Sequence, residues 1–294
     1  MRVMICGADG FIGRYVKDVL LENNTVASTT RKGGNQKNDY AVDLLDKESI
    51  NRAIKKFSPN VVINCAGIVG GAEKNELNEM FTSNLLDSIL SLDLKLKRII
   101  IIGSAAEYGE VLHLPVGEDD PKNPKSPYAI SKANEVKIAL NYRQKYNLPV
   151  VVARVFNPIG KGMKDKFLIP QLVRQVKEFR QGKRKCIELS RLDSVRDYVS
   201  IKDVASAIRM LVEAEPRHSV YNIGSGVGTT NGELLKMVIS NSRLDTSPDI
   251  IETSHDPEPK VASQADISRM TEEFNWSPKH TLESTIREII NDNR

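Results

Sequence analysis

The sequence predicts an α/β protein: a doubly wound parallel sheet followed by a smaller C-terminal α/β domain. Three observations predict it. Over the first half, short apolar runs alternate with longer stretches of helical period. A glycine loop, Gly7-Ala8-Asp9-Gly10-Phe11-Ile12-Gly13, directly follows the first apolar run. After Phe156 the alternation loosens.

In order, residues 3–6 read as the first strand. Over 12–21, Ile12, Val16, Val19 and Leu20 recur at helical spacing. Residues 25–30 are rich in β-branched side chains and form the second strand. A helix over 47–57 is closed by Ser58-Pro59, and 61–64 is the third strand. The long helix expected over 73–94 carries Leu77, Phe81, Leu85 and Ile89 at steps of four. The run Arg-Ile-Ile-Ile-Ile-Gly at 98–103 reads as a strand buried on both faces, followed by a helix at 127–146 and a strand at 150–154. Right-handed crossovers then place helices on both faces of the sheet.

The second half offers shorter pieces: 195–199, 202–213, 220–223 and 231–240, a loop marked by Pro257 and Pro259, and a final helix at 281–290. The expected division is 1–156 for the sheet domain, with returning segments near 195–225, and 157–294 for most of the second domain. Val220-Tyr221-Asn222-Ile223 is expected to rejoin the main sheet.

Composition excludes several classes. The 294 residues are 40% hydrophobic and 27% charged, enough for a full core and unlike a disordered chain. A net charge of +4 is a weak footprint for nucleic acid, and the basic stretch 161–185 has only Phe167 and Phe179 as aromatics. Cys6, Cys65 and Cys186 make neither a disulfide framework nor a C-x-x-C pair, which suits a reducing compartment. Four scattered histidines show no ligand spacing, so no metal site is expected. The first apolar run is too short for a signal peptide, and no stretch approaches the roughly 20 apolar residues of a membrane span. A cytoplasmic protein without membrane or nucleic-acid partners is expected.

The glycine loop has the physics of a Rossmann-type dinucleotide site, although its spacing is G-x-x-G-x-x-G. One glycine permits the tight turn, the next lets backbone approach a pyrophosphate, and the last lets the helix sit close to the strand. Gly7, Gly10, Phe11, Ile12 and Gly13 are therefore candidate cofactor contacts. At the end of the second strand an acid would hold the ribose 2′-hydroxyl of NAD. This chain has Arg31 and Lys32 instead. A guanidinium suits a 2′-phosphate, so NADP(H) is the preferred cofactor, with NAD(H) possible. Asp43, ahead of Leu44, is placed to reach the adenine. Cys65, Ala66 and Gly67 end the third strand at the border of the cofactor crevice.

Tyr128 and Lys132 stand four apart, one turn apart on one helix face. An ordinary tyrosine is a poor proton-transfer group at neutral pH. An adjacent ammonium and the positive ring of an oxidised nicotinamide favour its phenolate. Ser104 follows the buried strand 98–103, where its hydroxyl can hold a substrate oxygen. Together they supply what alcohol–ketone interconversion requires besides a hydride carrier.

These residues resemble the extended short-chain dehydrogenase/reductases of the nucleotide-sugar epimerase/dehydratase family. The resemblance spans nearly the whole chain. It includes the three loop glycines, Ser104-Ala105-Ala106-Glu107-Tyr108-Gly109 and Tyr128 with Lys132. It continues through Arg154-Val155-Phe156-Asn157-Pro158-Ile159-Gly160, Asp193-Ser194-Val195-Arg196-Asp197-Tyr198-Val199 and Val220-Tyr221-Asn222-Ile223-Gly224-Ser225-Gly226. It implies that Ser104, Tyr128 and Lys132 are the catalytic triad. Asn157 would then lie beside a sugar diphosphate and Arg196 on its phosphates. It also implies a homodimer through the helices at 73–94 and 127–146.

Dehydratases of this family carry an acidic pair straight after the catalytic hydroxyl residue. Here Ala105 and Ala106 stand there, with Glu107 one place late, which argues against dehydration and leaves Ala105 as a sugar neighbour. Two chemistries remain: reduction of the C4 ketone of a 4-keto-6-deoxy sugar with NADPH, or C4 epimerisation on NAD. Arg31 favours the first. The segment 189–198 looks most like the GDP-4-keto-6-deoxymannose reductase branch. Where many members clamp the diphosphate with an Arg, the loop Asp256-Pro257-Glu258-Pro259-Lys260 offers Lys260 as a point charge. A non-catalytic NADP-sensing scaffold is the reading from a different class.

Overall fold

Val3, Met4, Ile5 and Cys6 are all buried, as a strand covered by helices on both faces must be. They form β1 (Arg2–Cys6) in the computed structural model, which describes residues 1–70, 76–253 and 262–292. The chain turns into α1 (Phe11–Leu21) and returns as β2 (Thr25–Thr30) and β3 (Asp39–Ala41). Helix α2 (Lys47–Phe57) starts on Asp46, whose carboxylate accepts from the Glu48 N–H at 2.9 Å. Then come β4 (Val61–Asn64), α3 (Leu77–Ser91), β5 (Arg98–Ser104), α4 (Pro127–Tyr146) and β6 (Val150–Val155). Helix α4 has proline in its first turn, and the Ser126 hydroxyl accepts from the Ala129 N–H at 3.1 Å.

The remainder runs β7 (Asn157–Ile159), α5 (Leu168–Arg180), β8 (Cys186–Leu189), β9 (Val195–Ser200) and α6 (Ile201–Glu213). It continues with β10 (Val220–Ile223), β11 (Gly228–Thr230), α7 (Asn231–Asn241) and β12 (Asp249–Glu252). Helices α8 (Ser268–Phe274) and α9 (Leu282–Asp292) follow.

Among the described residues the main sheet has the order β10-β6-β5-β4-β1-β2-β3, with every pairing parallel. From β1 the chain builds outward through β2 and β3, then crosses back to β4 on the other side. That reversal opens a crevice at the carboxyl ends of β1 and β4. Alternation along β1 divides the core. Val3 and Ile5 join α1 and α6 on one face, while Met4 and Cys6 join α2 and α3 on the other. A third cluster unites Leu172 and Val176 of α5, Ile187 of β8, Leu234 and Val238 of α7, and Ile286 and Ile289 of α9.

Two differences from the sequence reading have physical causes, and one expectation is met. Strand β3 was not expected, because three residues at a sheet edge carry too little apolar pattern. Residues 220–223 do rejoin the sheet beside β6, and α6 comes with them, packing Val204, Ile208 and Leu211 against Val16 and Leu20. The buried guanidinium of Arg98 secures that return, donating to the carbonyls of Leu211, at 2.8 Å, and Ala214 at the end of α6. Finally, the inward face of α3 begins with Asn78 and Thr82, both fully buried, while Leu77 and Phe81 are only half-buried. Of the expected range 73–94, residues 73–75 lie outside the described residues. Among the described residues no helix is long and apolar enough to cross a membrane, and no group of three or more His, Cys, Asp or Glu is placed to hold a metal ion.

Candidate functional site

The crevice begins at the glycine loop. Gly7 adopts φ +73°, and its N–H donates to the Thr29 carbonyl at 3.0 Å. A Cβ on Gly13 would lie 2.2 Å from the Gly7 oxygen, and one on Gly7 would lie 2.8 Å from the backbone of Ala66. Loop, helix and strand end therefore meet where no side chain fits. Gly10 starts α1 with no side chain to cap it, so the first N–H groups of the helix, on Phe11, Ile12 and Gly13, receive no acceptor from that position. Such donors suit phosphate oxygens.

Arg31 and Lys32 follow β2 and are exposed. Asp43 is exposed too, with Oδ1 accepting from the Leu45 N–H at 2.9 Å, whereas Leu44 is buried in the core beside Ala27 and Ile50. Cys65 leaves β4 with its N–H on the Cys6 carbonyl at 2.9 Å, and the Ala66 N–H donates to Asn64 Oδ1 at 3.1 Å. Burial pushes the Cys6 thiol up to about 11 and raises Cys65 as well, so both are inert small neighbours of the loop. Gly67 follows, with Asn78 Oδ1 3.8 Å from where its Cβ would be.

Ser104 closes β5, paired in register with Val155 of β6. It opens a short 3-10 turn, Ala105–Tyr108, with reciprocal capping. The Ser104 N–H donates to Glu107 Oε1 at 2.7 Å, and the Ala106 N–H donates to Ser104 Oγ at 3.2 Å. With one lone pair of the hydroxyl used in that turn, its proton remains for a substrate oxygen. Tyr128 is half-buried in the first turn of α4. One turn on, Lys132 Nζ donates to the Ile102 carbonyl at 2.6 Å, two residues before Ser104. This bond brings the helix residues and the strand-end serine into one place.

Glu107 is the residue whose role sequence spacing left open. It is fully buried, and its Oε2 lies 3.0 Å from both Nε and Nη2 of the equally buried Arg154. Arg154 Nη1 also donates to the Tyr108 hydroxyl at 2.9 Å, and that hydroxyl donates to Asn222 Oδ1 at 2.7 Å. Glu107 thus supports the Ser104 turn from beneath and is sealed from any substrate.

A second buried network was not read from the sequence. Glu135 Oε2 accepts from Lys132 Nζ at 2.5 Å, and its Oε1 accepts from the Thr82 hydroxyl at 2.7 Å. Asn64 Nδ2 donates to Thr82 Oγ1 at 2.9 Å. Beside it, Asn78 Nδ2 donates to Ser131 Oγ at 3.0 Å and Oδ1 accepts from the Ile68 N–H at 2.8 Å. The available signal was a pair of polar residues, Asn78 and Thr82, recurring on the apolar face of α3.

Asn157 lies two residues beyond Val155. Its Nδ2 donates to the Asp197 carbonyl at 2.9 Å, which ties β7 to β9 next to Arg196. Arg196 is half-buried, and burial lowers its guanidinium from the ordinary value. Asp197 turns the other way: its carboxylate accepts from the N–H groups of Ser225, Gly226 and Ala265 at 2.6, 2.9 and 3.0 Å. Lys260 lies outside the described residues.

Residues 3–224 match the model of the NAD dependent epimerase/dehydratase family. The chain is 27% identical to the GDP-6-deoxy-D-mannose reductase of Pseudomonas aeruginosa, over 99% of this chain and 96% of that one. Its fold is similar to the structure of RMD from Pseudomonas aeruginosa complexed with NADPH, with a TM-score of 0.85, 27% identity and coverage of 99% and 98% of the two chains. It is also similar to the Thermus thermophilus UDP-glucose 4-epimerase complexed with NAD, with a TM-score of 0.83, 26% identity and coverage of 99% and 98%.

Proposed function

The chain belongs to the NAD dependent epimerase/dehydratase family, and from that membership we propose that it reduces the C4 ketone of a nucleotide-diphosphate-linked 4-keto-6-deoxyhexose with NADPH. The observation that carries this reading is the chemistry around Ser104. Positions 105 and 106 are alanine, and Glu107 is locked on Arg154. The acid–base work of the site therefore falls to Tyr128, which suits hydride transfer to a ketone and not removal of water. Exposed Arg31 at the end of β2 supports the phosphorylated cofactor, and the 27%-identical relative is itself a reductase.

The crevice fits such a cofactor: the Gly7–Gly13 cradle, where a Cβ would fill the space, meets an uncapped helix start. When bound there, the nicotinamide supplies the hydride. Ser104 Oγ holds the ketone oxygen by hydrogen bond, and Tyr128 gives its phenolic proton to that oxygen as negative charge develops. The Lys132 ammonium stabilises the phenolate left behind. In the same reading Asn157 and Arg196 lie along the sugar diphosphate. Residues 1–156 and the returning 195–225 serve the cofactor, and 157–294 mostly the sugar nucleotide. A homodimer through α3 and α4 belongs to it as well, supported by the exposure of Met80 and Ile130 on these adjoining helices.

The test is turnover with NADPH and, in parallel, NADH on GDP-, dTDP-, CDP- and UDP-linked 4-keto-6-deoxy sugars. Stoichiometric NADPH loss with a new 4-hydroxy sugar is expected on one of them. No consumption on any, with C4 inversion of a nucleotide hexose at constant NAD, would replace the reductase by an epimerase. A second expectation concerns the cofactor. Replacing Arg31 by alanine removes a charge-assisted contact worth about 1.5–3 kcal/mol. KM for NADPH then rises about tenfold or more, while KM for NADH stays within about twofold. Equal changes for both cofactors would remove Arg31 from the 2′-phosphate.

A further inference from the structure

Glu135 has no part in the chemistry just described, yet it is 1% exposed and paired with Lys132, itself 5% exposed. A carboxylate in such a place is costly to bury, and an apolar residue would cover the sheet at less cost. It is nevertheless held at both oxygens. Oε2 accepts from Lys132, and Oε1 accepts from Thr82, which Asn64 anchors in turn to the end of β4. Three elements far apart in sequence, β4, α3 and α4, converge to hold one carboxylate against one ammonium.

We propose that Glu135 is a positioning residue for the reaction: it fixes the Lys132 ammonium against the Ile102 carbonyl beneath Ser104, one helical turn from Tyr128, and keeps that lysine charged. The groups that bear on Lys132 are Tyr128 and Glu135 of its own helix, Glu107 of the 3-10 turn and Cys65 beyond β4. Glu107 is committed to Arg154, and the Cys65 thiol stays protonated. Glu135 is thus the carboxylate in direct contact; burial raises it above the ordinary carboxylate range, and the Lys132 ammonium and the Thr82 hydroxyl oppose that by favouring its charged form. Burial pulls the Lys132 ammonium down, and the nearby anions, Glu135 foremost, reverse the direction and raise it. Without that carboxylate burial prevails, and Lys132 becomes a neutral amine at a lower pH.

The role of Glu135 rests on the reading of Tyr128 and Lys132 as the catalytic pair, so one readout must need no turnover. The lysine 13Cε resonances of 13C-lysine-labelled protein provide it, with the Lys132 signal assigned by its loss in Lys132→Met. In the parent this signal is expected to remain that of an ammonium to above the ordinary lysine range. In Glu135→Gln it is expected to titrate at least about one pH unit lower. The alkaline limb of kcat moves down with it, whereas Glu135→Asp, which keeps the charge, retains the parent's limb at a reduced kcat. Lys132 titrating at the same pH in parent and Gln variant overturns the proposal. So does a loss of kcat by the same factor at every pH, which is what a merely structural role would produce. If Glu135→Gln does not fold, Thr82→Val is read in its place. It leaves Oε1 without its donor and frees the carboxylate to swing, and a downward shift of Lys132 is again expected. No shift there overturns the proposal. A parent inactive on every ketone, with the Lys132 titration shifted as expected, is a failure of the proposed function alone.

Discussion

Replacing Tyr128 by phenylalanine is expected to lower kcat by about 100- to 10,000-fold while the affinity for NADPH stays within about twofold. The ring survives the change, so the half-buried first turn of α4 keeps its packing and its Ser126 cap. Only the phenolic proton is lost. Ser104 Oγ still holds the ketone oxygen and Lys132 still rests on the Ile102 carbonyl, which is why a residual rate remains. Single-turnover rates and NADPH fluorescence titration separate the two effects. A rate unchanged by the substitution would place the proton donor elsewhere. A protein that binds NADPH as parent and variant alike, with no turnover in either, would be the scaffold of the different class.

The second large effect falls on stability. Arg154→Met is expected to destabilise the fold by about 3–5 kcal/mol, because Glu107 is then a buried carboxylate without its cation. The Tyr108 hydroxyl also loses its donor. Burial pushes that hydroxyl up to about 12, so it remains a neutral donor to Asn222. The double variant Arg154→Met, Glu107→Met removes the stranded charge and is expected to regain most of the urea midpoint. Activity is not expected to return with it. The Ser104 N–H donates to Glu107 Oε1 at 2.7 Å, and with that acceptor gone the turn carrying the Ser104 hydroxyl is no longer held. Stability and kcat recovering together would show that the pair supports the fold and does not position the serine.

In the proposed reading the work of the site is divided between two buried ion pairs and one half-buried proton carrier. Glu107–Arg154 holds the serine turn, Glu135–Lys132 holds the ammonium, and Tyr128 is half-buried one helical turn before Lys132. Glu107 illustrates why spacing alone left its role open. Its place in the sequence, three after Ser104, is compatible with touching a sugar. Only the approach of Arg154 from β6 shows that both carboxylate oxygens are already engaged.

Local physics made much of the protein legible in the one-dimensional chain. The helices at Lys47–Phe57 and Pro127–Tyr146 and the strands at Thr25–Thr30 and Val220–Ile223 follow from caps, proline, β-branched runs and apolar period, all set by near neighbours. The glycine loop is legible from Gly7, Gly10 and Gly13 directly after an apolar run, and the Tyr128–Lys132 juxtaposition from one turn of helix, whereas the backbone that bars a Cβ on Gly7 is that of distant Ala66. What tertiary structure decided is everything that depends on contacts between distant residues. Edge strand β3 exists because β2 offers it a partner, and α6 joins the main sheet because Arg98 and the first core cluster receive it. Glu135 meets Thr82 across 53 residues, and Arg154 meets Glu107 across 47. No periodicity records such meetings. A parallel sheet brings its strand ends together only after each intervening helix has crossed over, and a buried charge is tolerable only where that crossing delivers its partner.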